Sequence, residues 1–333
     1  MSMRVIRLPD DLPKIAWVVE DIYQYRPEDP FRLRMESAKE LKDAYRNLNM
    51  VWGLMRVLRG FSRSLGDMVR GYVWELEREV VGFGAARRVG RSNTWRVSAV
   101  GVLPEERGKG IGSMLLQATL DLVLSRGGKV IVADLIEENI PAIKLLQSLG
   151  FKAYSGGMEL IYPGVEACPA PALPDGYSFD PIGAFDWRPR FAFEKRIVPP
   201  EIQRFEPVDE GRFRKPFLAR ILRPLVQMRG AARDAGYVLR DKASGEIVAE
   251  GRVFAKGRSG DHSEIIARWD PQASDVAPFL IQALVHQAQI LRPGCPVELS
   301  VPNWMSFLAQ TALEFGFEER SKLTRYGKLI GME

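Results

Sequence analysis

The chain repeats itself at a nearly constant offset. Leu54-Met-Arg-Val-Leu-Arg59 is echoed by Leu218-Ala-Arg-Ile-Leu-Arg223, Tyr72-Val73 by Tyr237-Val238, and Leu115-Leu-Gln-Ala118 by Leu280-Ile-Gln-Ala283. Asn139 returns as Asn303, Gly150-Phe151 as Gly316-Phe317, and the acidic Asp134 as Glu298. The spacing drifts only between 164 and 166 residues across the whole run. Such a period implies two tandem copies of one fold. The stretch Pro163 to Asp175, rich in Pro, Ala and Gly, reads as a semi-rigid linker. The expected organisation is therefore a domain over 1–162, a linker over 163–176 and a second domain over 177–333. A length of 333 residues suits two domains.

Patterning within the first copy alternates strands and helices. Arg4 to Leu8 reads as a strand, followed by mainly helical segments near 12–25 and 34–60. Gly71 to Glu77 and Val80 to Ala85 form a hairpin across a charged turn, and Trp95 to Val102 is a third strand. Lys129 to Leu135 is a buried strand. A helix opens at Asn139 and runs through Leu145, Leu146 and Leu149 to stop at Gly150-Phe151. Two short strands, about 152–155 and 158–162, are expected next, and Leu323 to Ile330 closes the second copy in the same way. The fold class is α/β, each copy a mixed, mostly antiparallel sheet flanked by helices.

Chemistry concentrates in Val100-Gly-Val-Leu-Pro-Glu-Glu-Arg-Gly-Lys-Gly-Ile-Gly112, followed by Ser113. Gly108, Gly110 and Gly112 alternate, with Arg107 before them and Lys109 between them. Glycine lets backbone amides approach a ligand without a side chain in the way. The free N–H groups and dipole of the helix that begins there favour an anion, and two cations stand beside them. The dinucleotide-binding fingerprint does not fit, because its first glycine follows the strand directly. The P-loop does not fit either, lacking Gly-Lys-Ser/Thr in frame.

The stretch from about 70 to 162 resembles the GNAT superfamily of acetyl-coenzyme A-dependent N-acetyltransferases. The family's pyrophosphate loop, Arg/Gln-x-x-Gly-x-Gly/Ala, is matched by Arg107, Gly110 and Gly112. Its second signature, Asn-x-x-Ala-x-x-Leu-Tyr-x-x-x-Gly-Phe, is matched by Asn139, Ala142, Leu145, Gly150 and Phe151. The resemblance implies acetyl-CoA as cofactor, bound by the strand Val100, Gly101 and Val102, by the loop Arg107, Gly108, Lys109, Gly110, Ile111, Gly112 and Ser113, and by Asn139. It also implies that Asp134 stands where the family has a strand glutamate, which makes it the candidate catalytic base. The family's tyrosine, which protonates the departing thiolate, is Leu146 here, and a second family base position falls near Arg96, which cannot serve. Glu75 and Glu77, on one face of the hairpin strand, are the second choice of base. Tyr154 and Tyr162 read as packing aromatics. In the second copy the loop is Pro271-Gln-Ala-Ser-Asp-Val-Ala277, without glycine or cation, so that copy is expected to be a scaffold.

The balance of 47 basic to 42 acidic residues, a net charge of +5, carries no nucleic-acid motif with it. The basic clusters Arg56 to Arg70 and Arg87 to Arg91 read as solvated faces. No apolar run spans a membrane, and two cysteines, Cys168 and Cys295, suit reduced thiols in a cytoplasmic protein. Both histidines, His262 and His286, fall in the second copy, and no metal-ligand spacing is present. The expected activity is acetyl transfer to a small-molecule amine by a monomer or homodimer. The alternatives are transfer to a protein N-terminus or lysine, and a non-catalytic acyl-CoA binding module.

Overall fold

A computed structural model describes residues 2–22, 69–90, 92–164, 167–183, 185–214, 233–255 and 262–330. The expected helix over 34–60, the echo of Leu54 to Arg59 in Leu218 to Arg223, and most of the basic run Arg56 to Arg70 lie outside these residues. The chain divides into two compact units. The first is Met1–Tyr154 with Arg325–Glu333, and the second is Ser155–Thr324.

The first unit contains β1 (Ser2–Val5), α1 (Leu12–Ile22), β2 (Arg70–Leu76), β3 (Glu79–Arg88), β4 (Thr94–Val102), α2 (Ile111–Ser125), β5 (Val130–Ile136) and α3 (Ile140–Ser148). Strands β1 to β4 are antiparallel neighbours in chain order, and β5 lies parallel to β4. Helix α1 places Ile15, Val18, Val19 and Ile22 on one stripe, the i, i+3, i+4, i+7 spacing of a core-facing helix. That stripe packs on Val73, Val81, Phe83 and Ala85, each side chain contributing about 1.5–3 kcal/mol if fully buried, less for Ala. On the other face, α2 buries Leu116, Leu120 and Val123 with Trp95, Ile131 and Phe151. Tyr326 and Ile330 join this core, and the Ile330 amide donates to the Lys129 carbonyl at 2.9 Å.

The hairpin turn differs from the expectation at one residue. Strand β2 stops at Leu76, and Glu77 and Arg78 form the two-residue turn with φ of 52° and 75°. Two successive left-handed residues match the right-handed twist of the flanking strands. Glu77 therefore belongs to the turn, not to the strand face that carries Glu75.

The second unit holds Ser155–Tyr162 of β6 (Lys152–Tyr162), then β7 (Tyr177–Pro181), α4 (Trp187–Ile197), β8 (Arg233–Asp241), β9 (Ile247–Ala255), β10 (Ser263–Trp269), α5 (Ala277–Leu291), β11 (Val297–Pro302), α6 (Ser306–Phe315) and Glu318–Thr324 of β12 (Glu318–Leu329). Strands β7 to β10 are antiparallel neighbours, β11 is parallel to β10, and β6 is antiparallel to β11. Each unit is thus a mixed, mostly antiparallel sheet with helices.

Among the described residues, three of the echoes fall on matching elements. Tyr72 faces Gly84 across β2–β3, and Tyr237 faces Gly251 across β8–β9. Leu115 and Leu280 are both fully buried on the helix that follows the third long strand. Gly150 and Gly316 turn left-handed, with φ of 81° and 111°, just past α3 and α6, and Phe151 and Phe317 are each buried behind them.

Where two short strands were expected over 152–155 and 158–162, one strand of 11 residues runs through. Gly156 and Gly157 mark close approach instead of a turn. A Cβ at Gly156 would stand 2.8 Å from the Leu323 carbonyl oxygen, and one at Gly157 would stand 2.8 Å from that of Val301.

Candidate active site

The site in the first unit grows from a divergence of two parallel strands. β4 and β5 pair through Thr94–Val130, Trp95–Ile131 and Arg96–Val132, and the register ends there. Both strands continue, β4 to Val102 and β5 to Ile136. Backbone groups of 97–102 on that side consequently have no ladder partner in β5. A register shift between Ala85 and Ala86 leaves Ser98 as an extra residue in β4, which bends the strand at the opening.

Beyond Val102 the chain tightens. Leu103 is buried, and its amide donates to the Val81 carbonyl at 2.9 Å. A single 3-10 turn, Pro104–Glu106, leads to Arg107, whose Nε donates to the Val102 carbonyl at 3.1 Å. Gly108 and Gly110 both have φ of 77°, a conformation nearly reserved for glycine. Gly110 caps α2, and the first helical bond runs from the Met114 amide to the Gly110 carbonyl at 3.1 Å. The amides of Ile111, Gly112 and Ser113 precede that bond and have no acceptor within the helix. Helix α2 can sit this close because β3 carries Gly82 and Gly84. A Cβ at Gly84 would lie 3.2 Å from the Leu115 carbonyl oxygen, and one at Gly82 would lie 3.3 Å from Leu115 Cδ1.

A cleft of about 640 Å³ follows the loop. It is lined by Val100, Gly101, Val102, Arg107, Gly108, Gly110, Ile111, Gly112, Ser113 and Asn139, so ten of the eleven residues expected to hold the cofactor meet in one place. Lys109 is the exception: its Nζ turns to Glu106 at 2.9 Å, within the loop. The loop fits a phosphate-bearing group. A Cβ at Gly108 would meet nothing within 4 Å, and one at Gly110 would meet only Met114 Cε at 4.0 Å, so the two glycines open onto free space. Asn139 caps α3, its Oδ1 accepting from the Ala142 amide at 3.3 Å. The sequence motifs did not point to Ile22, which reaches the same cleft from α1.

A second cavity of about 550 Å³ shares Val100, Asn139, Ala142 and Leu145 with the first and is lined also by Asp134 and Leu146. Asp134 Oδ2 accepts a hydrogen bond from Arg96. Its Oδ1 is buried without a hydrogen bond, 3.9 Å from Arg325 Nε. Leu146 is 4% exposed among Trp95, Ile131 and Phe151, so no acid stands at the position where the family motif has tyrosine. The other candidates are occupied. Glu75 accepts from Arg4 at 2.7 Å, which holds its carboxyl below the usual range. Tyr162 packs on Phe315 and Phe317 in the second unit, with ring centroids 5.6 and 5.5 Å away. His286 Nδ1 lies 2.7 Å from the Cys168 carbonyl, and His262 Nε2 lies 2.8 Å from Glu298.

The second unit keeps the scaffold without the loop. The turn before α5 is Ser274–Val276, and Asp275 accepts from the Tyr177 hydroxyl at 3.2 Å. Glu298, the echo of Asp134, is bound by His262 and by Arg320 at 3.3 Å. Against the middle of β9 and β10 the unit has ion pairs, Arg190 with Glu250 and Arg212 with Glu194 at 2.8 Å, around a space of only about 20 Å³. No group of His, Cys, Asp and Glu among the described residues is arranged to hold a metal ion, and no described helix is long and apolar enough to cross a membrane.

Comparison with known proteins agrees with this geometry. The acetyltransferase (GNAT) family model matches residues 24–151. A GCN5-related N-acetyltransferase from Sphaerobacter thermophilus superposes with a TM-score of 0.65 at 15% identity, covering 98% of this chain and 96% of that one. A tandem GNAT protein from the clavulanic acid biosynthesis pathway, in a form without AcCoA, gives 0.63 at 16% identity and covers 100% of both chains. A glucosamine N-acetyltransferase region of a fungal multi-domain β-N-acetylglucosaminidase gives 0.62 at 13% identity, over 98% of this chain and 38% of that one. None of the curated proteins compared with the chain matches it. At these identities the structures establish a shared fold.

Proposed function

With residues 24–151 belonging to the acetyltransferase (GNAT) family, we propose that the chain transfers the acetyl group of acetyl-CoA directly to a small-molecule amine. The observation that carries the reading is the loop Arg107–Ser113, whose two left-handed glycines open beside unpaired helix amides at one end of a 640 Å³ cleft. Acetyl-CoA, when bound, supplies a thioester acetyl group and a thiolate leaving group. The amides of Gly108 to Ser113, with Arg107, hold the pyrophosphate. Lys109 contributes charge from outside the cleft wall. The open edge of β4 at Val100, Gly101 and Val102 offers backbone donors and acceptors to the arm that follows, and Asn139 closes the far side. Preorganised donors of this kind commonly supply the largest share of rate enhancement.

Asp134 is the candidate base. An alkyl amine with a pKa near 10 is mostly protonated at neutral pH, and Oδ1 is the carboxylate atom without a hydrogen bond. It takes the amine proton directly or through water. Leu146 supplies no proton, and the reaction tolerates that, since a thiol with a pKa of about 8.5 departs as thiolate with little help. The tandem organisation, a cofactor-binding copy and a scaffold copy without a phosphate loop, belongs to the same proposal.

An amine screen with acetyl-CoA that follows free thiol release tests the reading. Turnover of a small amine supports it. Turnover confined to peptides would move it to a protein acetyltransferase, and cofactor binding with no thiol release on either class would leave a binding module.

A further inference from the structure

Beside Asp134 lies a concentration of guanidinium groups that cofactor binding does not use. Arg87 on β3 stands directly opposite Arg96 on β4. Arg96 donates to Asp134, and Arg325 Nε lies 3.9 Å from the other carboxylate oxygen. Like charges directly opposite on neighbouring strands are destabilising. The fold retains such a pair next to Asp134, which itself lines the second cavity. Arg87 makes no hydrogen bond or ion pair with a described residue. Desolvation and the neighbouring Arg96 push its guanidinium below the usual value, although Asp134 works in the opposite direction. Asp134 Oδ1, in turn, is a buried acceptor without a donor. One small group of residues therefore offers a cation suited to an anion and a lone pair suited to an N–H.

We propose that the acceptor carries an anionic group close to its amine, as an amino acid does, with Arg87 receiving the carboxylate beside Arg96 and Asp134 Oδ1 receiving the amine. This rests on the acetyltransferase reading and adds the substrate class. Planar guanidinium groups pair with carboxylates in two-point geometry, which would orient the amine. Arg87 acts here in recognition and takes no part in the chemical step.

The test compares the standard amino acids with their carboxamides, as acceptors with acetyl-CoA and, in their N-acetyl forms, as ligands by thermal shift. Wild type and Arg87→Gln are measured side by side. The expected result is that at least one free carboxylate is preferred over its amide by tenfold or more. Arg87→Gln should raise KM for it about tenfold and leave kcat and the acetyl-CoA KM within twofold, and Arg87→Lys should recover part of the loss. Amides handled as well as acids, a preference that survives Arg87→Gln, or no free carboxylate bound or turned over would each overturn the proposal. The acetyl-CoA melting shift, recorded alongside, reports on the underlying reading. Its absence rejects the acetyltransferase assignment, while a carboxylate preference in the ligand arm would still stand.

Discussion

Replacing Gly110 by aspartate separates cofactor binding from folding. The residue has φ of 77°, where a side chain costs about 1–2 kcal/mol. There is room for it, because the nearest atom to a Cβ is Met114 Cε at 4.0 Å. A negative charge at the start of α2 returns about 0.3–1 kcal/mol through the helix dipole. The unliganded variant should therefore melt within a few degrees of wild type. Binding should respond very differently. The new carboxylate occupies the space onto which the glycines open and repels phosphate. Losing two charge-assisted hydrogen bonds at about 1.5–3 kcal/mol each weakens affinity at least 100-fold. At acetyl-CoA 100 times above its Kd, wild type gains about 2.7 kcal/mol of stability. For a domain of about 150–250 residues that is a rise of roughly 5–10 °C. A variant binding 100-fold more weakly gains only about 0.4 kcal/mol at the same concentration, or about 1 °C. Differential scanning fluorimetry with and without ligand reads both numbers. An unchanged ligand shift in Gly110→Asp, or no shift in wild type at millimolar ligand, would refute the phosphate-loop assignment.

Asp134→Asn should lower turnover by about 10²-fold or more while acetyl-CoA affinity barely moves, and higher pH should partly restore the rate because more amine is then unprotonated. Full turnover of a verified acceptor by this variant would place the base elsewhere. Gly157→Ala should lower the melting temperature of the second unit, since the new Cβ meets a backbone carbonyl at 2.8 Å and overpacking of that kind costs about 1–3 kcal/mol; an unchanged melting curve would show that β6 shifts freely. Acid should loosen the first unit through Arg4, which donates to Asp11 at 2.7 and 2.9 Å and to Glu75 at 2.7 Å. Burial raises the Asp11 carboxyl, but the hydrogen bonds from Arg4 and the Arg7 amide outweigh it, and Arg4 likewise lowers Glu75. Both folded-state values lie below the unfolded ones, so their stabilisation is present above about pH 4 and is lost as pH falls through the folded values. Arg4→Gln should flatten the acid side of a stability-against-pH curve, and an unchanged slope would reject the ion pair as its source.

What the sequence could disclose divides along the range of the interactions concerned. The proposed cofactor loop is contiguous, and its glycine spacing, the following helix and Asn139 are local features, so they are legible before any folding is considered. The repeat is legible for a related reason, because Gly150 and Gly316 meet the same backbone demand after a helix, and Tyr72 and Tyr237 each face a glycine across a hairpin. Misreadings arise where one residue type answers two demands. Gly156-Gly157 looks like a turn but serves close approach to the Leu323 and Val301 carbonyls. Glu77 looks like a strand residue but takes a left-handed turn conformation. The surroundings of Asp134 lie furthest from sequence reading. Arg325 comes after the whole of the second unit in the chain, yet it belongs to the first unit, and its Nε lies 3.9 Å from the carboxylate. Arg96 is visible in the sequence only as a residue that cannot be a base. In the structure it holds Oδ2 and leaves Oδ1 as the oxygen without a hydrogen bond. The arginine that removes one candidate base thereby orients the other, and the two strand positions act as one group. Arg96→Gln should accordingly impair turnover through Asp134, in parallel with Asp134→Asn and without the two losses adding.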